Sequence, residues 1–152
     1  VVDKAGNESN ETTSLNFDID TATPGAPSIV SVIDDVPAVA GGPDETIAHE
    51  GITNDNRPTI TGTGPKNATI RIYDGDPANG GTKLFETTSD GQGNWSYTPT
   101  AAQELADGDY NFYADAKAAN GQESPVTGPY TITVDTVAPE KPDLGNGTLS
   151  AT

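Results

Sequence analysis

The sequence predicts an all-β fold, a sandwich of two antiparallel sheets built from about seven short strands. Three observations predict it. Short runs alternate apolar and polar residues, Gly, Pro, Asn and Asp punctuate the gaps between them, and no window carries a helical stripe longer than about two turns.

Taken in order, Pro27 to Ile33 opens the set with Ile29, Val30, Val32 and Ile33. A long Gly- and Pro-rich excursion follows, beginning at Asp34-Asp35, running from Val36 to Arg57 and carrying His49, the sole histidine. Loops of that length are uncommon in a compact domain unless they are functional or tethered. Thr59 to Thr63 is the second strand, and the turn Gly64-Pro65-Lys66-Asn67 leads into Ala68 to Tyr73. That third strand places Ile70 and Ile72 on one face and Thr69, Arg71 and Tyr73 on the other. The loop from Asp74 to Gly81 leads to Thr82 to Thr88, and Asp90-Gly91-Gln92-Gly93 turns tightly into Asn94 to Thr98. A short crossing through Leu105 precedes Asp109 to Ala116, with Tyr110, Phe112 and Ala114 inward. Tyr130 to Val134 closes the set, and Thr100 to Ala106 has room for one helical turn at most.

The chain also repeats itself. Asp20-Thr21-x-x-Pro24-x-x-Pro27 recurs as Asp135-Thr136-x-x-Pro139-x-x-Pro142, an offset of 115 residues (135 − 20). Each copy follows an alternating segment, Leu15 to Ile19 in one case and Tyr130 to Val134 in the other. A self-match ending on a Pro-punctuated joint is the mark of a tandem array. The expected division is the tail of a preceding repeat over 1–23, a complete repeat over 24–139, and a linker with the start of the next over 140–152. Pro24 and Pro27 make the joint short and stiff.

Composition narrows the function classes. Against 23 acidic residues stand 7 basic ones, a net charge of −16. Nucleic acid and anionic membrane surfaces need clustered Lys and Arg, so neither is an expected partner. Cys and Met are absent, which removes disulfides and thiolate metal sites. There is no run of about 18 apolar residues to span a bilayer as a helix. At 32% apolar residues the core must be thin, and so acidic a chain would gain from bound divalent cations.

Several motifs come in a set order: Pro58-Thr59-x-Thr61-Gly62-Thr63, Thr69-x-x-x-Tyr73-Asp74, Asp90-Gly91-x-Gly93-Asn94-Trp95-Ser96-Tyr97-Thr98-Pro99, and Leu105-Ala106-Asp107-Gly108-x-Tyr110. With the closing Val134-Asp135-Thr136-x-Ala138-Pro139, this order resembles the bacterial immunoglobulin-like tandem repeats of giant surface adhesins and biofilm-associated proteins exported by type I secretion. The likeness covers roughly residues 24 to 142. It departs at Ala116 to Gly121 and in the long insert from Asp34 to Arg57, both of them loops. The resemblance implies a seven-stranded immunoglobulin-like sandwich, an extracellular location at the cell surface, no catalysis, Ca²⁺ near the domain junctions, and neighbouring repeats of the same chain as partners. Any host-surface or matrix ligand would belong to a distal tip.

In such a sandwich the first and last strands run the same way. Asp34, Asp35 and Asp55 should therefore gather at the pole where Asp135 leaves, joined by Asp74 and Asp76 after the third strand. Asp115, Asn67, Asp90 and Asn120 should lie at the other pole beside the incoming Asp18 and Asp20. Converging carboxylates without Lys or Arg repel unless a cation neutralises them, and Ca²⁺ accepts six to eight oxygen ligands from such loops. The candidate metal ligands are thus Asp18, Asp20, Asp34, Asp35, Asp55, Asp74, Asp76, Asp115 and Asp135. Against this stands the plainer reading that Asp and Asn simply favour turns. Asp74-Gly75-Asp76 lacks the downstream Glu of an EF-hand loop.

Trp95 and Tyr97 could offer a sugar platform, but Trp in a sandwich strand is more often core. The row Thr59, Thr61, Thr63 reads as an ordinary exposed strand face, and His49 lacks the partners a catalytic or transition-metal site needs. Two other functions stay open: a module binding glycan or host protein, and an accessory sandwich of a secreted polysaccharide-degrading enzyme.

Overall fold

Nine strands in two sheets enclose the core of the computed structural model, which describes residues 4–6, 17–36 and 42–140. In chain order they are β1 (Ser28–Asp34), β2 (Glu45–Ile47), β3 (Gly51–Thr53), β4 (Thr59–Thr63), β5 (Thr69–Asp74), β6 (Thr82–Thr88), β7 (Asn94–Tyr97), β8 (Gly108–Lys117) and β9 (Thr127–Val134). One sheet runs β2-β1-β4-β7 and the other β3-β9-β8-β5-β6. Every pairing is antiparallel except β3 on β9.

The expected all-β sandwich is there, with two strands more than the alternation predicts. Both extra strands lie in the excursion read as a loop. β2 folds back on β1, pairing Val32 with Ile47 and Asp34 with Glu45. After a tight turn β3 crosses to the other sheet and pairs Ile52 with Thr133. The loop is therefore tethered at both sheets, and it closes the edge that β9 would otherwise leave open. Residues 17–20 form no strand, Phe17 and Ile19 are exposed, and the rest of the expected preceding strand lies outside the described residues. So do residues 141–152 and the middle of the excursion, 37–41.

Strand faces follow the period of two. Ile60, Ile70, Ile72, Phe112, Ile132, Val32 and Val134 are fully buried, and Phe85, Trp95, Leu105 and Ile47 complete the core. Each large aliphatic side chain so buried contributes about 1.5–3 kcal/mol. Trp95 lies inside, its indole N–H donating to the Thr63 carbonyl (3.1 Å). Gly62 is what makes room for it, because a Cβ there would overlap the indole ring and the Ser28 carbonyl. Tyr97 stacks on Phe85 with ring centroids 4.9 Å apart and donates to Gln103 Oε1 (2.7 Å). The Asp90-to-Gly93 turn needs Gly93 at φ +92°, in the left-handed region.

Outward-facing side chains differ between the sheets. On the four-stranded sheet, hydroxyls pair across strands: Ser28 with Thr63 (2.9 Å) and Ser31 with Thr61 (2.8 Å). On the five-stranded sheet Arg71 makes a bidentate ion pair with Asp115, both contacts at 2.7 Å, and a third bond to Glu123 at 2.7 Å.

Candidate functional site

The exit pole gathers its residues around Thr53, the last residue of β3. Its hydroxyl donates to Asp34 Oδ2 (2.6 Å) and accepts from the Asp55 amide (3.0 Å). Its carbonyl accepts the Asp135 amide (2.8 Å). One buried threonine thus ties the end of β1, the β3–β4 loop and the start of the outgoing linker. Asp55 is itself buried, accepting from the Arg57 amide (2.7 Å) and the Asp35 amide (3.3 Å). Burial pushes its carboxyl above the usual range. The two backbone donors oppose that shift, and the nearby charges of Asp35 and Asp34 add to it.

A surface cleft of about 280 Å³ opens beside this network, lined by Asp34, Val36, Glu45, Ile52, Thr53, Asn54 and Asp135. No Lys or Arg lines it. Asp34, Asp35, Asp55 and Asp135 do share a pole, the arrangement that parallel first and last strands impose. Four further acceptor residues belong there too: Glu45 and Asn54 on the cleft, Asp107 just before β8 and Asp109 at its start. Asp107 Oδ1 accepts from the Thr136 amide (3.0 Å) and hydroxyl (2.8 Å), and Asp109 Oδ1 from the Thr133 hydroxyl (2.6 Å). Glu45 escapes sequence reading because its register with Asp34 depends on the unforeseen β2. Asp107 and Asp109 sat inside a recognisable turn motif whose position at the pole follows only from β8 pairing with β9.

The remaining candidate ligands, Asp18 aside, are engaged elsewhere. Asp74 Oδ1 accepts from the Asn111 amide (3.0 Å), below the pole on β8. Asp76 caps the short 3₁₀ turn Pro77–Asn79, accepting from the Ala78 amide (2.9 Å) and the Asn79 side chain (2.7 Å). Asp20 accepts the Ala22 amide (2.9 Å) in a local turn, and Asp18 is exposed. Asp115 departs most from expectation. Both its oxygens face the Arg71 guanidinium, and Tyr73 donates to one of them (3.3 Å), so it already has the cationic partner that the ligand argument assumed absent. The guanidinium in turn holds the exposed Glu123 carboxyl below its ordinary range.

At the entry pole, Asn120 Nδ2 donates to the Ala22 carbonyl (3.0 Å), joining the β8–β9 loop to the incoming linker. Asp90, in the neighbouring turn, is held below the usual carboxylate range by the amides of Asn94 and Gln92.

Oxygen donors of the kind Ca²⁺ takes thus ring the exit cleft. Among the described residues, however, no three acidic or histidine side chains converge closely enough to hold a metal ion. The described residues by themselves fall short of a coordination shell. No described helix is long and apolar enough to cross a membrane.

Two packed sheets, a parallel β3–β9 pairing and linkers at opposite poles define an immunoglobulin-like sandwich. A family model for the bacterial Ig-like domain matches residues 32–136, and the chain belongs to that family. Such domains are typically non-catalytic and occur commonly in extracellular or surface proteins. No curated protein matches the chain.

Proposed function

We propose that this domain is a spacer repeat in the stalk of a bacterial cell-surface adhesin, stiffened by Ca²⁺ at its junctions and serving adhesion and biofilm formation. The observation that carries the reading is the exit pole. There the outgoing linker is hydrogen-bonded into the fold at Asp135, beside a cleft of acidic and amide oxygens without a basic residue. Because one repeat's donors do not close on a single point, the ion would be shared. Asp34, Glu45, Asn54 and Asp135 would supply one side and the adjoining repeat the other. Bound there, Ca²⁺ supplies charge neutralisation and a rigid cross-link between neighbours.

A glycan-binding role loses its best platform, because Trp95 is core. The test is a thermal melt of a two-repeat fragment in millimolar CaCl₂ and again in excess chelator. Metal at about 100 times its Kd that binds only the folded state adds about 2.7 kcal/mol. That is on the order of 10 °C in Tm for a domain of this size. A shift of that order with Ca²⁺ and not with Mg²⁺ supports the shared site. An unchanged Tm in the two-repeat fragment overturns it.

A further inference from the structure

The tether of the β2–β3 segment contains a histidine in an unusual position. His49 sits at the turn between the two strands, and its Nδ1 accepts the Thr131 amide (3.0 Å). The Glu50 amide donates in return to the Thr131 carbonyl (2.8 Å). The imidazole ring therefore stands where a strand partner would. On one side of Thr131, Pro129 has no N–H to offer; on the other, β3 covers Ile132 to Val134. His49 fills the gap between them. Tyr130 secures the same turn from β9, its hydroxyl donating to the Ile47 carbonyl (2.6 Å) and its ring meeting His49 edge-on at 5.6 Å.

An imidazole nitrogen accepts a hydrogen bond only while it carries no proton. Filling the Nδ1 lone pair sets one N–H against another, so the contact with Thr131 breaks and the ring must turn out. Histidine is the side-chain type that ordinarily makes this change between pH 8 and 5. Its titratable neighbours are Glu50, next along the chain, and Tyr130. Opposite Thr131 on β8 is the uncharged Asn111, whose Oδ1 accepts the Thr131 hydroxyl (2.9 Å). No cationic side chain is among these contacts to oppose protonation.

We propose that His49 is an acid-sensitive latch that holds the β2–β3 segment on the edge of β9. The segment carries Glu45, Ile52 and Thr53, three of the residues lining the exit cleft, so acid loosens the wall of the joint while the sandwich stays folded. The latch stands whether or not an ion occupies that cleft. Losing one hydrogen bond of ordinary net worth raises local opening about fivefold.

Amide exchange measured by NMR on the full chain, corrected for intrinsic rates, tests this between pH 7.5 and 5.5. The expected result is an about fivefold rise in opening at Thr131, Glu50 and Thr53 as His49 takes up its proton. Amides of the central strands, such as Ile72 and Ala114, stay protected. His49→Asn puts Oδ1 at the reach of Nδ1, an acceptor that does not titrate, and should abolish the rise. His49→Phe should show the raised opening at both pH values. A rise of equal size in His49→Asn, or none in the native chain while the His49 ring titrates, overturns the proposal. So does an Nδ1–H tautomer at pH 7.5, read from the ring nitrogen shifts.

Discussion

Removing the guanidinium of Arg71 strips a buried carboxylate of its counter-charge. The Arg71 side chain is 17% exposed and that of Asp115 only 9%, and two parallel bonds of 2.7 Å join them. Arg71→Leu keeps apolar bulk on the sheet but leaves Asp115 with only the Tyr73 hydroxyl as partner, at 3.3 Å. Breaking a buried pair from one side costs about 3–5 kcal/mol, chiefly as the penalty of an uncompensated buried charge. The exposed Glu123 arm adds little, since water replaces it. At roughly 4 °C per kcal/mol for a domain of this length, Tm should fall by about 12–20 °C. Asp115→Leu alone should be nearly as harmful, but Arg71→Leu combined with Asp115→Leu should recover most of the loss. Replacing a whole buried pair by apolar groups is often neutral or better. Urea melts of the two single variants and the double give the coupling energy directly. Additive losses would refute the account, because they would mean that neither charge depends on the other.

Gly62→Ala should lower stability by about 2–4 kcal/mol, because its methyl must displace either the Trp95 ring or the β1 backbone; a urea midpoint unchanged from native would refute the close packing. Asp55 has its carboxyl raised, so its stabilising contribution is present below the unfolded value near 3.9 and is lost as pH rises through the folded one. In chelator, the native chain should therefore gain on Asp55→Asn as pH falls from 7 towards 4, and a difference constant over that range would contradict the burial penalty. Thr53→Val removes the donor to Asp34 and the acceptor for the buried Asp55 amide, for a loss of about 2 kcal/mol. Thr53→Ser, which keeps the hydroxyl, should lose less, and equal losses in melts would show that the methyl and not the hydroxyl matters.

Seven strands were legible because each is long enough to show alternation, as β5 does with Ile70 and Ile72 inside and Arg71 outside. β2 and β3 were not. Three residues such as Glu45-Thr46-Ile47 place a single side chain in the core, which no period can reveal, and only the tertiary pairing with β1 makes them a strand. The gathering of Asp34, Asp55 and Asp135 could be foreseen because it follows from strand direction alone. The fate of Asp115 could not. Its partner Arg71 lies 44 residues away, and the pair meets only through the exact β5–β8 register, where a slip of one residue would put Arg71 on the other face. Asp76 shows the opposite limit, a local Asx-type cap before a proline that needs no partner beyond its own turn.

The topology also sets how a load would travel through the domain. The incoming linker enters β1 at Ser28, and the outgoing one leaves β9 at Val134, on opposite poles and in opposite sheets. A pull on the two linkers therefore slides β1 and β9 lengthwise past their neighbours. β1 is held by β4, with β2 on its far side near Asp34; β9 is held by β8, with β3 on its far side near Val134. Ladder bonds lie across the strand direction, so sliding loads several at once instead of opening them one after another from an end. The two short strands of the excursion reinforce both load-bearing strands close to the exit linker. The Asp135 amide, bonded to Thr53 of β3, passes part of the pull into that added edge before it reaches β8. The spacer proposed above would need resistance of this kind along its long axis, and the β2–β3 segment adds to it at the pole where the chain leaves β9.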